Sequence, residues 1–289
     1  RFALLGEAGS GKSTFVNFLV ICLAGERLQS DCADLSRLTA PLPDNDGNPG
    51  KEPQPWTHGA LLPVKIILRD FAANHLPRSG ERASVKHVWE YLAATLDDWM
   101  MPEFAPLLKT ALTRGDALLL FDGLDEVPEA DGRRHQAQQA IEDATKQFDE
   151  CRILVTSRTY AYTHPLAGFA DAALAPFSKG QICWFADRWY EHVARARGMS
   201  AEQGRGRAEL LKRAIFRSEQ LEDFARRPLL LTLMASLHAY RRGSLPEKRG
   251  ELYRDATELL LDWWERGKIV TNAAGQKTLE QPSLKIGRA

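Results

Sequence analysis

The stretch "GEAGSGKSTF", residues Gly6–Phe15, decides how this chain is read. It follows a short apolar run, "FALL" (Phe2–Leu5), and leads into "STFVNFLVICLA" (Ser13–Ala24), which is apolar at helical spacing. Strand, glycine-rich turn and helix in that order suit a loop that wraps a phosphate. Gly6, Gly11, Lys12 and Ser13 occupy the fixed places of G-x-x-x-x-G-K-[ST]. Glycines permit positive φ and turn successive N–H groups toward an anion. The following helix adds its N-terminal dipole. The expected phosphate cradle is therefore Gly6, Glu7, Ala8, Gly9, Ser10, Gly11, Lys12, Ser13 and Thr14. Lys12 would reach the β- and γ-phosphates, Ser13 would place a hydroxyl on Mg²⁺, and Thr14 is free for a more distal oxygen.

Downstream, apolar runs alternate with helical patterns. "LLPVKIILRDFA" (61–72) reads as a strand, and "SVKHVWEYLAATLDDW" from Ser84 as a capped helix. "FAPLLKTALTRG" is a further helix, stopped by Gly115. In "DALLLFDGLDEVPE" (116–129), Ala117–Phe121 are continuously apolar, as a central parallel strand requires. A helix is expected from about Arg133 to Glu150, a strand in "RILVTSRTYAY" (152–162) ending at Thr156-Ser157-Arg158, and a fifth strand in "DAALAPFS". The alternation predicts an α/β fold with a parallel sheet wound on both sides. Ligands of such sheets sit at the carboxyl ends of the strands, where Lys12, Asp122 and Arg158 would meet.

After Ser178 only helices are expected, to about Lys268. "MSAEQGRGRAELLKRAIF" reads as hinged by its glycines, and the tail from Asn272 as irregular. The expected division is a nucleotide-binding domain at 1–177, a helical subdomain at 178–268 and a linker at 269–289.

Bulk composition excludes several classes. Among 289 residues, Lys+Arg and Asp+Glu both number 38, so no net charge draws the chain to nucleic acid or to an anionic membrane. No apolar run approaches the roughly 18 residues of a membrane span. Four cysteines (Cys22, Cys32, Cys151, Cys183) form no C-x-x-C pair and read as thiols of a reducing, cytoplasmic protein. The seven histidines have no zinc spacing. "DNDGN" (44–48) has its glycine too early for a calcium loop, and no Glu closes it.

Asp122, at the end of its strand, is the candidate second Mg²⁺ ligand. Small GTPases need Asp-x-x-Gly here and an Asn-Lys-x-Asp reader later, and the sequence has neither. Many motor ATPases place Glu directly after the Asp, where this chain has Gly123. Asp125 and Glu126 are the remaining candidates for the base that activates water, with solvated loop acids as the bland alternative. Arg158, at a strand's carboxyl end, is placed to complement developing phosphate charge. Arg69 and Asp70 read equally as a structural pair or a nucleotide contact.

"GEAGSGKST", "LLLFDGLDEV", "ILVTSR" and "RPLLLTLMA", in this order and spacing, resemble a NACHT domain of the STAND class of P-loop ATPases. "LPVKIILRDFA" and "LPEKRGELYRDATELLL" are similar to bacterial members. The resemblance runs from residue 1 to about 266. It implies a P-loop three-layer sandwich with sheet order 5-1-4-3-2, ATP or ADP with Mg²⁺ as ligands, and slow regulatory hydrolysis. It assigns phosphate and Mg²⁺ to Lys12 and Ser13, Mg²⁺ to Asp122, hydrolysis to Asp125 and Glu126, γ-phosphate sensing to Arg158, and the adenine pocket to Pro228. It also implies a longer parent protein with winged-helix, sensor and effector domains, "PSLKIGRA" being the start of the first. That parent would self-associate as a signalling switch in innate immunity, including bacterial antiphage defence. ATP is expected over GTP, although GTP-using relatives exist. A small-molecule phosphotransferase and a nucleotide-binding scaffold without turnover are the competing readings.

Overall fold

The structure is a computed structural model that describes residues 1–241, 244–246, 249–266, 269–271 and 277–279. It divides into two compact units, Arg1–Gln181 and Ile182–Ala289.

The first unit is built on a five-stranded, all-parallel sheet. Its strands are β1 (Phe2–Leu5), β2 (Leu62–Ile67), β3 (Ala117–Asp122), β4 (Arg152–Ser157) and β5 (Ala170–Ala173). They lie in the order β2-β3-β4-β1-β5, which is the expected 5-1-4-3-2 read from the other edge. Around them run α1 (Lys12–Arg27), α2 (Leu35–Leu38), α3 (Leu68–Asn74), α4 (Val85–Asp98), α5 (Ala105–Arg114) and α6 (Arg133–Gln147).

Strand β3 is buried along its whole length, and its alternating side chains serve two cores. Leu119 and Phe121 pack with Val64, Ile66, Ile153 and Val155 against Phe71 of α3, Val88 and Leu92 of α4, and Ala137, Ala140 and Ile141 of α6. Leu118 and Leu120 face the other way, onto Val16, Leu19 and Leu23 of α1. The sheet is thus covered on both faces, which explains an apolar run without polar alternation. Burying each such Leu or Phe contributes about 1.5–3 kcal/mol. The open edge at β2 carries Pro63, and Leu62 N–H bonds Asp116 O toward β3. Alternation therefore turns position 63 outward, where a missing N–H costs no ladder bond.

Two local readings need correction. The segment 61–72 is not one strand: it becomes α3 at Leu68, because Leu68, Phe71 and Ala72 are buried at helical spacing. The helix from Arg133 ends at Gln147, three residues short of Glu150. Strand β4 ends at Ser157, inside the expected end at Thr156–Arg158. Gly115 does stop α5, at φ 75°.

The second unit contains α7 (Lys179–Ala196), whose first residues belong to the first unit, α8 (Ala201–Phe216), α9 (Glu219–Ala225), α10 (Pro228–Tyr240) and α11 (Arg249–Arg266). Helix α8 is continuous through its glycines, contrary to the expected hinge. Gly204 is there for space: a Cβ would sit 3.0 Å from Ala194 Cβ and 3.2 Å from Tyr190 O of α7. Tyr190 is fully buried and hydrogen-bonded to His238 Nδ1, and burial pushes its phenol up to about 12. The tail is not wholly irregular, since β6 (Ile269–Thr271) pairs antiparallel with β7 (Lys277–Leu279). The side chains of Trp263 and Trp264, and the segment "PSLKIGRA", lie outside the described residues.

Candidate phosphate and metal site

Gly9 and Gly11 adopt φ 74° and 94°, the left-handed region that the glycine-rich turn requires. Gly6 has a different constraint, because a Cβ there would come 2.6 Å from Ser10 Oγ. Gly6 N–H bonds Ser157 O at 3.2 Å, which ties the loop to the carboxyl end of β4. Helix α1 starts at Lys12 with no side-chain cap and no acid in its first turn. Its leading N–H groups and dipole therefore suit an anion. Lys12 folds over the loop and donates to Gly6 O and, at 3.2 Å, to Glu7 O. Its pKa is lowered, mainly by burial, against the opposing pull of Asp125.

Asp122 is buried at the end of β3 and draws two chain-distant hydroxyls together. Its Oδ1 accepts from Ser13 Oγ at 3.1 Å and from Thr156 Oγ1 at 2.7 Å. Thr156 Oγ1 in turn accepts from Gly123 N–H at 2.8 Å. Ser13 and Asp122 offer adjacent hard oxygen donors, a set that fits Mg²⁺ shared with phosphate and water. No group of three or more His, Cys, Asp or Glu side chains placed to hold a metal occurs among the described residues.

Beyond Asp122 the chain turns at Gly123, φ 86°, and a Cβ there would sit 3.2 Å from Glu126 Cδ. The left-handed φ is what favours glycine here, and the Glu126 side chain folds back over the space. Glu126 remains partly exposed, with Arg69 Nη1 3.5 Å from its Oε2; Arg69 also pairs with Asp70 at 3.2 Å. Asp125 is different. It is almost fully buried, and both its oxygens are engaged by one residue: Arg158 N–H donates to Oδ1 at 3.1 Å, and Arg158 Nε lies 2.8 Å from Oδ2.

The loop 6–14, Asp122, Asp125, Glu126 and Arg158 thus gather at the carboxyl edge of one sheet. Pro228 is the first residue of α10 in the second unit, where its fixed φ and missing N–H suit a helix start. The sequence reading missed Lys65. This lysine lies on β2 opposite Leu120, on the face that carries Asp122, and its Nζ is 3.2 Å from Asp122 Oδ2 and 2.7 Å from Asn17 Oδ1. A single Lys interrupting "PV-II" is the signal it left.

No protein-family model and no curated protein matches this chain. Among the described residues, no helix is long and apolar enough to cross a membrane.

Proposed function

We propose that the chain is an ATP-binding P-loop module of NACHT type, a slow ATPase that serves as the nucleotide switch of a longer signalling or defence protein. The observation that carries this reading is the contact between Ser13 Oγ and Asp122 Oδ1 at 3.1 Å, which joins two residues 109 positions apart beside a left-handed glycine loop. The sheet order and the Asp122-Gly123-Leu124-Asp125-Glu126 run support the same class.

In this reading Lys12 and the start of α1 bind the phosphates, and Ser13 with Asp122 hold Mg²⁺. When bound, the metal neutralises charge on the β- and γ-phosphate oxygens. Glu126, whose carboxylate is the more accessible of the two acids, accepts the proton of the attacking water. Asp125 instead orients Arg158, which complements the charge on the transferred phosphoryl group. Intrinsic hydrolysis by a P-loop switch is slow, on the order of 10⁻⁴ to 10⁻² per second. Self-association and a role in immunity belong to the longer protein and follow from the family resemblance. A phosphate-release time course with ATP, with and without small-molecule acceptors, tests the reading. Slow release that acceptors do not change is expected. Turnover of many per second, or phosphate recovered on an acceptor, would replace the switch with a phosphotransferase.

A further inference from the structure

Lys65 has no place in the roles given above, yet its ammonium lies 3.2 Å from the carboxylate proposed to bind the metal. Strand register puts it on the same sheet face as Asp122, two residue pairs before the strand end. Its side chain is 24% exposed and that of Asp122 8%, so the pair sits in a largely desolvated setting. The ammonium has two oxygen partners, Asp122 Oδ2 at 3.2 Å and Asn17 Oδ1 at 2.7 Å. Asp122 Oδ1 meanwhile carries the Thr156 and Ser13 hydroxyls. Both oxygens of the carboxylate are therefore engaged, and its charge is already balanced from within the chain.

This has a direct consequence for a divalent ion that draws on Ser13 and Asp122. The ion must share the carboxylate with a fixed positive charge or displace it. Like charges a few ångströms apart in a low-dielectric pocket repel strongly. We infer that Lys65 is a tethered counter-ion that competes with the divalent cation for Asp122 and so sets the metal affinity of the nucleotide site. The inference rests on the proposed nucleotide reading. It goes beyond it by making nucleotide binding and metal binding separable: the site can keep Asp122 neutralised without metal, and the metal must do work against Lys65 to enter.

The test uses the whole chain with saturating ADP, titrated with Mn²⁺ while free Mn²⁺ is followed by electron paramagnetic resonance. K65M removes the charge. K65Q removes the charge but keeps hydrogen bonding to Asp122 and Asn17, which covers the case in which K65M does not fold. K65R keeps the charge. Both uncharged variants should bind Mn²⁺ about tenfold more tightly than the parent chain, while K65R stays within about twofold, since the effect follows the charge. Unchanged or weaker Mn²⁺ binding by K65Q, with the parent chain binding normally, would overturn the inference and leave the nucleotide reading standing. Failure of the parent chain to bind Mn²⁺ in the presence of ADP would overturn the metal site, and the inference with it. A K65R variant as tight as K65Q would show that geometry rather than charge is responsible, and would overturn it as well.

Discussion

Asp122 carries three donors on two oxygens, and only one of those donors was visible in the linear sequence. Ser13 was legible because it closes the G-x-x-x-x-G-K-[ST] spacing, and Asp122 because it ends an apolar strand. Thr156 and Lys65 were not legible as its partners, since they come from strands on either side of β3 and meet it only through register. The Thr156 hydroxyl bridges Gly123 N–H and Asp122 Oδ1 inside the core. T156V keeps the shape but leaves the Gly123 donor unsatisfied. Urea denaturation should show a loss of about 1–3 kcal/mol, and an unchanged midpoint would mean the bridge is dispensable. The two acids after Gly123 looked interchangeable in sequence, and geometry separates them. Arg158 engages both oxygens of Asp125, whereas Glu126 is the more accessible. E126Q should therefore bring single-turnover phosphate release to background. D125N should slow it less while ATP affinity is retained. The reverse ranking would return the base to Asp125.

The elements that were legible are those with strong local chemistry. Strand β3 announced itself by five continuous apolar residues, and α5 ended where Gly115 could take positive φ. Helix α3 was hidden because "IILRDFA" is apolar enough to extend a strand, and one short helical turn pattern is too brief to outvote it. Gly204 misled for a related reason: a glycine needed for close helix approach reads like a hinge until the neighbouring helix is known. Gly25, near the end of α1, is a sharper case. A Cβ there would fall 1.7 Å from Ala33 O, a backbone atom that cannot rotate away. G25A should therefore cost at least about 1–3 kcal/mol, read from thermal or chemical melting. A neutral or stabilising effect, as expected for Gly to Ala in an unobstructed helix, would show that the 30–34 turn does not pack there in solution.

At the scale of the molecule, alternating strands and helices made the α/β class and the parallel sheet readable, and the sheet order came with the family resemblance. The helices-only stretch after Ser178 was readable too, and is observed as far as Arg266 among the described residues, because Ser178 and Pro228 punctuate helix starts there. The first unit also exposes Trp99, Met100, Met101 and Phe104 between α4 and α5, and Leu107 in the first turn of α5, apolar residues that local periodicity did not single out. The nucleotide reading depends most on the glycine-rich loop at the carboxyl edge of the sheet. The most direct measurement is isothermal titration of ATP with Mg²⁺ into the parent chain and into K12A, with folding of both checked by circular dichroism. Lys12 is the cation folded over the loop, and its removal should abolish measurable binding while the fold is retained. ATP binding by K12A with unchanged affinity, or no binding by the parent chain, would contradict the assignment of this loop as a nucleotide site.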